Sequence, residues 1–474
     1  MTISLIGLCQ PPAVNPYNVT FPSAAPAAPK VWTSSGKSPF QVLHFSDVHI
    51  DRQYTPGSEA NYSPATPTEP AGPFGEHTCD SPVPLVDSML EFAQQTVGDA
   101  KFAIFTGDVV EAALWLVNQS DVTSDLQDWN AELAAKIQPT VFPSFGNHDT
   151  APVNSFPRNT SAAASGFQWT FNVQSAAWEN WIGEAAASQV QHDSGSYSAM
   201  VSGTNLRIIS VNTQYWYIDN FYLYDSDTFQ PDPNGVLAFI VEQLQATEDA
   251  GQRAWVIGHD EFMIGYSDYN NRQAANAIAY GSLSPALTPR SGNPAFKMYD
   301  VDPDTFELMD VKVYTTNMSN PSYQTNPTWE LYYSARDTYA PLVPSLSANQ
   351  SLSPAFWHNL TDVFAANNTA FQMYNTFKSR DGAVGSCTGS CVNATICGLR
   401  AMRSEDNCDV VSPGLPSRRD LETATPINRG YDMDCEGAGI GHVMKKLTRQ
   451  TTPGSTTPET LAELRKRLET IIPS

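Results

Sequence analysis

Positive charge is scarce in this chain of 474 residues: 26 lysines and arginines face 49 aspartates and glutamates, for a formal net charge of −23. With no basic patch to offset phosphate repulsion, nucleic acid is excluded as a general partner. No apolar run approaches the length of about 18 residues that a transmembrane helix needs, so none is expected. MTISLIGL has no basic start and reaches Cys9 before a hydrophobic core can form, so no secretory signal is expected at this N terminus. Histidine is sparse, with 8 in the chain, and none falls between His259 and His358. Cysteines number 7. Those at 387, 391, 397 and 408 cluster, which suits local disulfides, with a zinc knuckle as the rival reading. No internal repeat is visible.

Against these absences stand three short runs: Asp47-Val48-His49, Gly107-Asp108 and Gly146-Asn147-His148-Asp149. Each follows an apolar, β-prone stretch (PFQVLHFS, KFAIFT and QPTVFPSF), so each is expected at the C-terminal end of a strand. Loops at strand ends bring oxygen and nitrogen donors from distant parts of a chain to one point. Carboxylates, an amide oxygen and imidazoles together suit borderline divalent ions such as zinc, manganese or iron. A pair of such ions polarises a phosphoryl oxygen, activates water and balances charge in an in-line displacement. D-x-H or G-D alone is a weak signal. In this order, each behind a strand, they point to a two-metal centre.

The rest of the chain divides by character. Residues 1–38 are proline- and alanine-rich and read as an extended linker. From 39 to 315, strands alternate with helical stretches. LVDSMLEFAQQTV and SDLQDWNAELAAKI have helical spacing, while NLRIISVNT, RAWVIGH and MDVKVYT read as strands. An α/β protein with both sheet faces covered is expected. Residues 316–411 read as a small helical, cysteine-containing subdomain that includes WELYYSARDTY, and 412–474 as a polar tail with a short amphipathic helix in PETLAELRKRLETII. His358 lies on an aromatic helical face and is read as structural. Tyr215, Trp216 and Tyr217 either pack in the core or line a cleft able to cage a quaternary ammonium. N-x-S/T sequons at Asn18, Asn61, Asn118, Asn159, Asn317, Asn349, Asn359, Asn367 and Asn393 argue for a secreted or vacuolar-lysosomal glycoprotein.

The order FSDVHID, FTGDVVEA, FGNHDT resembles the calcineurin-like metallophosphoesterases. CDSP at 79–82, SGNPAF at 291–296, DPDTFE at 302–307 and the cysteine-rich stretch 387–408 narrow the resemblance to acid sphingomyelinase-like phosphodiesterases, particularly fungal ones. That resemblance implies two packed sheets flanked by helices. It implies that Asp47 and His49 bind one divalent ion, Asp108 bridges two, Asn147 binds the second, and His259 adds an imidazole; zinc is the expected metal. It places His148 beside the ions, giving a hydrogen bond or proton to the phosphate ester, with Asp149 expected to orient that ring. It pairs Cys387 with Cys391 and Cys397 with Cys408. The implied substrate is a phosphodiester, sphingomyelin at a membrane surface, cleaved to ceramide and phosphocholine by a monomeric enzyme.

The chain departs from the pattern at several points. Ala112 stands where animal members tend to carry a histidine. RAWVIGH runs straight into DEFMIGYSDYN, where the family continues through G-H-x-P and G-H-T-H segments. A stretch with two metal-binding histidines is therefore expected to be missing after His259. Cys9 reads as the remnant of a lost saposin-like domain, and Cys79 lacks a partner cysteine nearby. On this reading the chain binds metal poorly and turns over slowly. A secreted, catalytically impaired glycoprotein and a phosphodiesterase for nucleotide-type esters are the alternatives.

Overall fold

The computed structural model describes residues 19–24, 30–60, 69–112, 117–217, 219–224, 230–259, 263–290, 292–343, 346–347, 349–382, 384–403, 406 and 408. Cys9, Asp260-Glu261-Phe262 and the expected C-terminal amphipathic helix lie outside them. The strands of three or more residues are Phe40–Phe45 (β1), Phe102–Phe105 (β2), Val141–Pro143 (β3), Tyr197–Met200 (β4), Leu206–Ser210 (β5), Arg253–Ile257 (β6), Ile264–Tyr266 (β7), Ala277–Tyr280 (β8), Ala295–Val301 (β9), Leu308–Thr316 (β10) and Trp329–Ser334 (β11). The helices are Val83–Val97 (α1), Gln119–Lys136 (α2), Gln168–Ile182 (α3), Glu184–His192 (α4), Val236–Asp249 (α5), Ala335–Tyr339 (α6), Pro354–Ala366 (α7), Asn368–Lys378 (α8) and Ser390–Leu399 (α9).

A six-stranded sheet runs in the order β11-β10-β9-β1-β2-β3. β1, β2 and β3 are parallel neighbours, whereas β9 pairs antiparallel with β1. The FQVLHF and FAIF runs suit central strands buried on both faces. Side chains alternate across the sheet: Val42, Phe102 and Ile104 enter one apolar cluster, and Leu43, Phe45, Ala103 and Phe105 the other. The second cluster is roofed by α1 and α2 through Leu85, Met89, Leu126 and Trp129. Asn118 starts α2 with a capping box, accepting from Ser120 and Asp121 while Asp121 reaches back. The first cluster lies between the large sheet and a three-stranded one, β4-β5-β6. Polar bonds stitch the layers together. Tyr197 and Ser210 both donate to the Pro143 carbonyl at 2.9 Å, and the Trp255 indole donates to Phe306 at 3.0 Å. This is the expected two-sheet sandwich flanked by helices.

Two expectations about the flanks need correction. β11, WELYYS, falls in the stretch read as helical, yet it pairs antiparallel with β10 and forms an edge of the large sheet. Its aromatic residues favour a pleated, half-buried surface, which the helical reading underweighted. The following helices also share the body's core, since Phe364, Phe371 and Ile396 join the cluster that holds Tyr299 and Val311. The proline-rich stretch is fastened over part of its length. Lys30 donates to the Gly251 carbonyl at 2.7 Å, Trp32 packs edge-on to Phe306, and Ser34 and Ser35 bond Asp302 and Asp304. Cys387–Cys391 and Cys397–Cys408 are disulfides as expected. His358 is buried 2.8 Å from the Tyr266 hydroxyl, a structural partner. No helix among the described residues is long and apolar enough to cross a membrane.

Candidate metal centre

The three motifs follow β1, β2 and β3, and the backbone draws them together. Asp47, His49 and Asp108 have φ of 52°, 37° and 64°, a left-handed region that ordinary residues rarely occupy. Pairing between the loops holds them there: Asp47 N–H donates to Gly107 at 3.0 Å, His49 to Asp108 at 3.1 Å and Ile50 to Val109 at 2.7 Å. Gly107 and Gly146 meet without side chains. A β-carbon on Gly107 would stand 2.2 Å from the Gly146 nitrogen, and one on Gly146 would stand 2.1 Å from Asp108 Oδ1.

Two donor groups result. Ligand atoms of Asp47, Asp108 and His259 lie within 4.8 Å of one another, as do those of His49, Asp108 and His148. Asp108 Oδ2 stands 3.3 Å from His259 Nε2 and 3.5 Å from His49 Nε2. Both rings are oriented from behind. His49 Nδ1 donates to the Val110 carbonyl at 2.9 Å and His259 Nδ1 to the Thr106 carbonyl at 2.7 Å. Each Nε2 then turns its lone pair inward, the arrangement that fixes a metal-binding tautomer. Nε2 of His49 and of His148 are buried with no hydrogen-bond partner. Orphaned buried nitrogens beside carboxylates are the donors a divalent cation would satisfy, so the residues fit one.

Electrostatics agree. Burial opposes charge on His49, but Asp47, Asp108 and Asp80 push its pKa up to about 9. His259 is likewise raised well above its usual value: burial opposes, and Asp108 and Asp47 prevail. Asp108 is held far below the carboxylate range, because His259 and His148 outweigh the upward push of burial. The pocket attracts positive charge, and protons compete with metal for it. A divalent ion bound near pH 7 should therefore displace protons, and affinity should climb as pH rises toward about 9. Calorimetry in two buffers of different ionisation enthalpy checks this; heats independent of buffer would contradict it.

Asn147 is buried in the loop pressed against Asp108. Its amide donates to Asn154 Oδ1 at 3.0 Å, and the next residue, His148, donates its N–H to Asp108 Oδ1 at 2.8 Å. Asp149 requires a correction. Its carboxylate accepts from the backbone of Gly146 at 2.8 Å, Val109 at 2.9 Å and Asp108 at 3.2 Å, clamping two loops. It does not orient His148, whose Nδ1 instead faces the Glu111 carbonyl at 3.4 Å. The His148 ring is held neutral, pushed down to about 4 by burial. Asp80, inside CDSP, accepts from Ala112 N–H at 2.8 Å and adds to the field on His49. Glu111, pushed up to about 8 by burial and Asp51, was also missed. Its only sequence signal was its place three residues after Asp108. The aromatic trio splits: Tyr215 is buried, while Trp216 is 40% exposed in the turn whose Thr213 donates to the His259 carbonyl at 3.0 Å.

Comparison with known proteins agrees with this geometry. The calcineurin-like phosphoesterase family matches residues 40–281, just over half of the chain. Sphingomyelin phosphodiesterase B of Dictyostelium discoideum is 29% identical, over 72% of this chain and 61% of its own length. Sphingomyelin phosphodiesterase 2 of Caenorhabditis elegans is 28% identical, over 86% of this chain and 76% of its own. The Homo sapiens sphingomyelin phosphodiesterase is 26% identical, over 77% and 64%. The chain thus spans about three fifths of the length of the first of these relatives. Strand-end loops that meet over one carboxylate, and a match running through all of them, lead to one assignment: the chain belongs to the calcineurin-like phosphoesterase family.

Proposed function

We propose that this protein hydrolyses phosphodiesters with a pair of divalent ions, zinc being the expected metal, and that its substrate is of the sphingomyelin type. The observation that carries the reading is Asp108, the one carboxylate common to both donor groups. Asp47 and His259 would hold one ion with Asp108, and His49 and Asn147 would serve the other. The ions supply Lewis acidity and an activated water. The chain's own contribution is His148. An incoming phosphate anion offsets the burial that keeps this ring neutral, so Nε2 can carry a proton to the leaving oxygen while Nδ1–H stays on the Glu111 carbonyl.

The names of the relatives support a sphingolipid headgroup. The sequons support a glycoprotein of the secretory route, extracellular or vacuolar-lysosomal. Of the seven described sequon asparagines none is buried: Asn118, Asn159, Asn317, Asn349, Asn367 and Asn393 are exposed, and Asn359 is half-buried. A second reading, a catalytically impaired glycoprotein, is favoured by one observation. His358, the next histidine after His259, is engaged by Tyr266 and by Asp362 at 3.7 Å, so it does not stand in for the two imidazoles expected in the missing stretch.

An assay with zinc supplied, on sphingomyelin micelles, a chromogenic phosphodiester and ATP, separates the readings. Phosphocholine release is the expected result. Cleavage of the chromogenic ester or ATP alone would keep the hydrolase and discard the headgroup. No turnover of any of the three would establish the inert reading.

A further inference from the structure

We infer that His44 is a positioning residue of the metal centre, acting through Thr106 on the imidazole of His259. The inference rests on the proposed metal-binding role of His259, and it concerns a residue whose side chain touches neither donor group.

His44 lies in β1 and is buried. Its Nδ1 is 2.7 Å from the Tyr299 hydroxyl and its Nε2 is 3.0 Å from Thr106 Oγ1. The proton positions follow from the neighbours. Thr106 Oγ1 donates its only proton to Ser46 Oγ at 2.7 Å, so it must accept from His44. Nε2 of His44 therefore carries the hydrogen, and Nδ1 accepts from Tyr299. A neutral imidazole can make one donation and one acceptance, and both are used here. Burial and the Lys297 ammonium, opposed by Asp47, push the ring's pKa down to about 3, which keeps it neutral.

Thr106 is the residue through which this chain reaches the metal centre. Its side chain is clamped between His44 and Ser46. Its N–H donates to the Phe45 carbonyl at 3.0 Å, and its own carbonyl accepts from His259 Nδ1 at 2.7 Å. The next carbonyl, that of Gly107, accepts from Asp47 N–H at 3.0 Å. One peptide segment thus aims the His259 imidazole and anchors the loop bearing Asp47, and the His44 ring fixes the side chain of that segment. A merely satisfied core histidine would stabilise the strands without reporting at the metal.

The discriminating experiment compares wild type, His44→Phe, His44→Gln and Thr106→Val. It measures zinc affinity by calorimetry and, in the metal-free protein, the solvent exchange of the His259 Nδ1 proton that the Thr106 carbonyl holds, by NMR. Loss of an outer-shell partner weakens metal binding by roughly 10- to 100-fold. His44→Phe, and Thr106→Val with it, should weaken zinc by about tenfold and speed that exchange. His44→Gln, whose amide can donate to Thr106, should restore both readouts. If His44→Phe keeps wild-type affinity and a protected Nδ1 proton, even while its melting temperature falls, the inference is overturned. A wild type that binds no zinc overturns the metal reading itself, and the metal-free exchange comparison still decides whether His44 positions His259.

Discussion

Replacing Asp108 with asparagine should abolish both metal sites at once. The side chain keeps its size, but an NH2 group takes the place of one carboxylate oxygen. Either that group meets the His148 N–H now bound by Oδ1 at 2.8 Å, or it faces the His259 and His49 nitrogens at 3.3 and 3.5 Å. An amide also lacks the charge that a bridging position requires. Outer-shell losses cost 10- to 100-fold, so loss of the shared ligand should cost on the order of a thousandfold or more in kcat/KM, about 4 kcal/mol of transition-state stabilisation. Zinc stoichiometry should fall together with activity. A variant that retains two tightly held ions, or activity within tenfold of wild type, would count against the shared-carboxylate reading.

The second large effect is expected at Gly107, and it is conformational. Alanine there faces two penalties. The position has φ of 91°, and the new β-carbon would sit 2.2 Å from Gly146 N and 2.6 Å from its Cα. Both obstructing atoms are backbone, so relief requires the β2 and β3 loops to separate. Overpacking of about 1–3 kcal/mol, added to a left-handed strain of about 1 kcal/mol or more, predicts a loss near 3 kcal/mol in urea denaturation, with zinc affinity lost as the loops part. Gly235→Ala provides the control. It shares a left-handed φ of 75° but has nothing within 4 Å of its would-be β-carbon. It should cost only about 1 kcal/mol and leave zinc binding intact. Equal losses at the two glycines would show that strain alone, and not loop contact, governs the turn.

Much of this site was legible because its chemistry is written in short runs behind strong strand signals. The strands before Asp47, Asp108 and Asn147 carry no polar side chain except Gln41 and His44, so central buried strands are the natural reading. His44 gives no sign in sequence of a role beyond that. A single histidine in an apolar strand carries no label saying which loop it supports, and only the three-dimensional pairing with Thr106 and Tyr299 supplies one. Asp149 was misread for a related reason. Adjacency in sequence suggested that it serves His148, whereas the tight turn sends its carboxylate toward three backbone N–H groups. Glu111 and Asn154 were unreadable, since their roles depend on contacts across the loop. WELYYS goes astray at the level of fold because the strand preference of its aromatic residues is outweighed by the helical stretches that follow, and pairing with β10 restores it.

The left-handed turns at Asp47, His49 and Asp108 carry a practical consequence for anyone wishing to move this centre elsewhere. Each such turn costs a non-glycine residue about 1 kcal/mol or more, and the cost is met by cross-loop pairing rather than by the residue itself. Copying the ligands onto a foreign scaffold would import that penalty without its remedy, and the grafted loops would relax toward ordinary extended geometry. A workable transplant would have to carry the neighbouring loop pair as one block, Gly107 and Gly146 included.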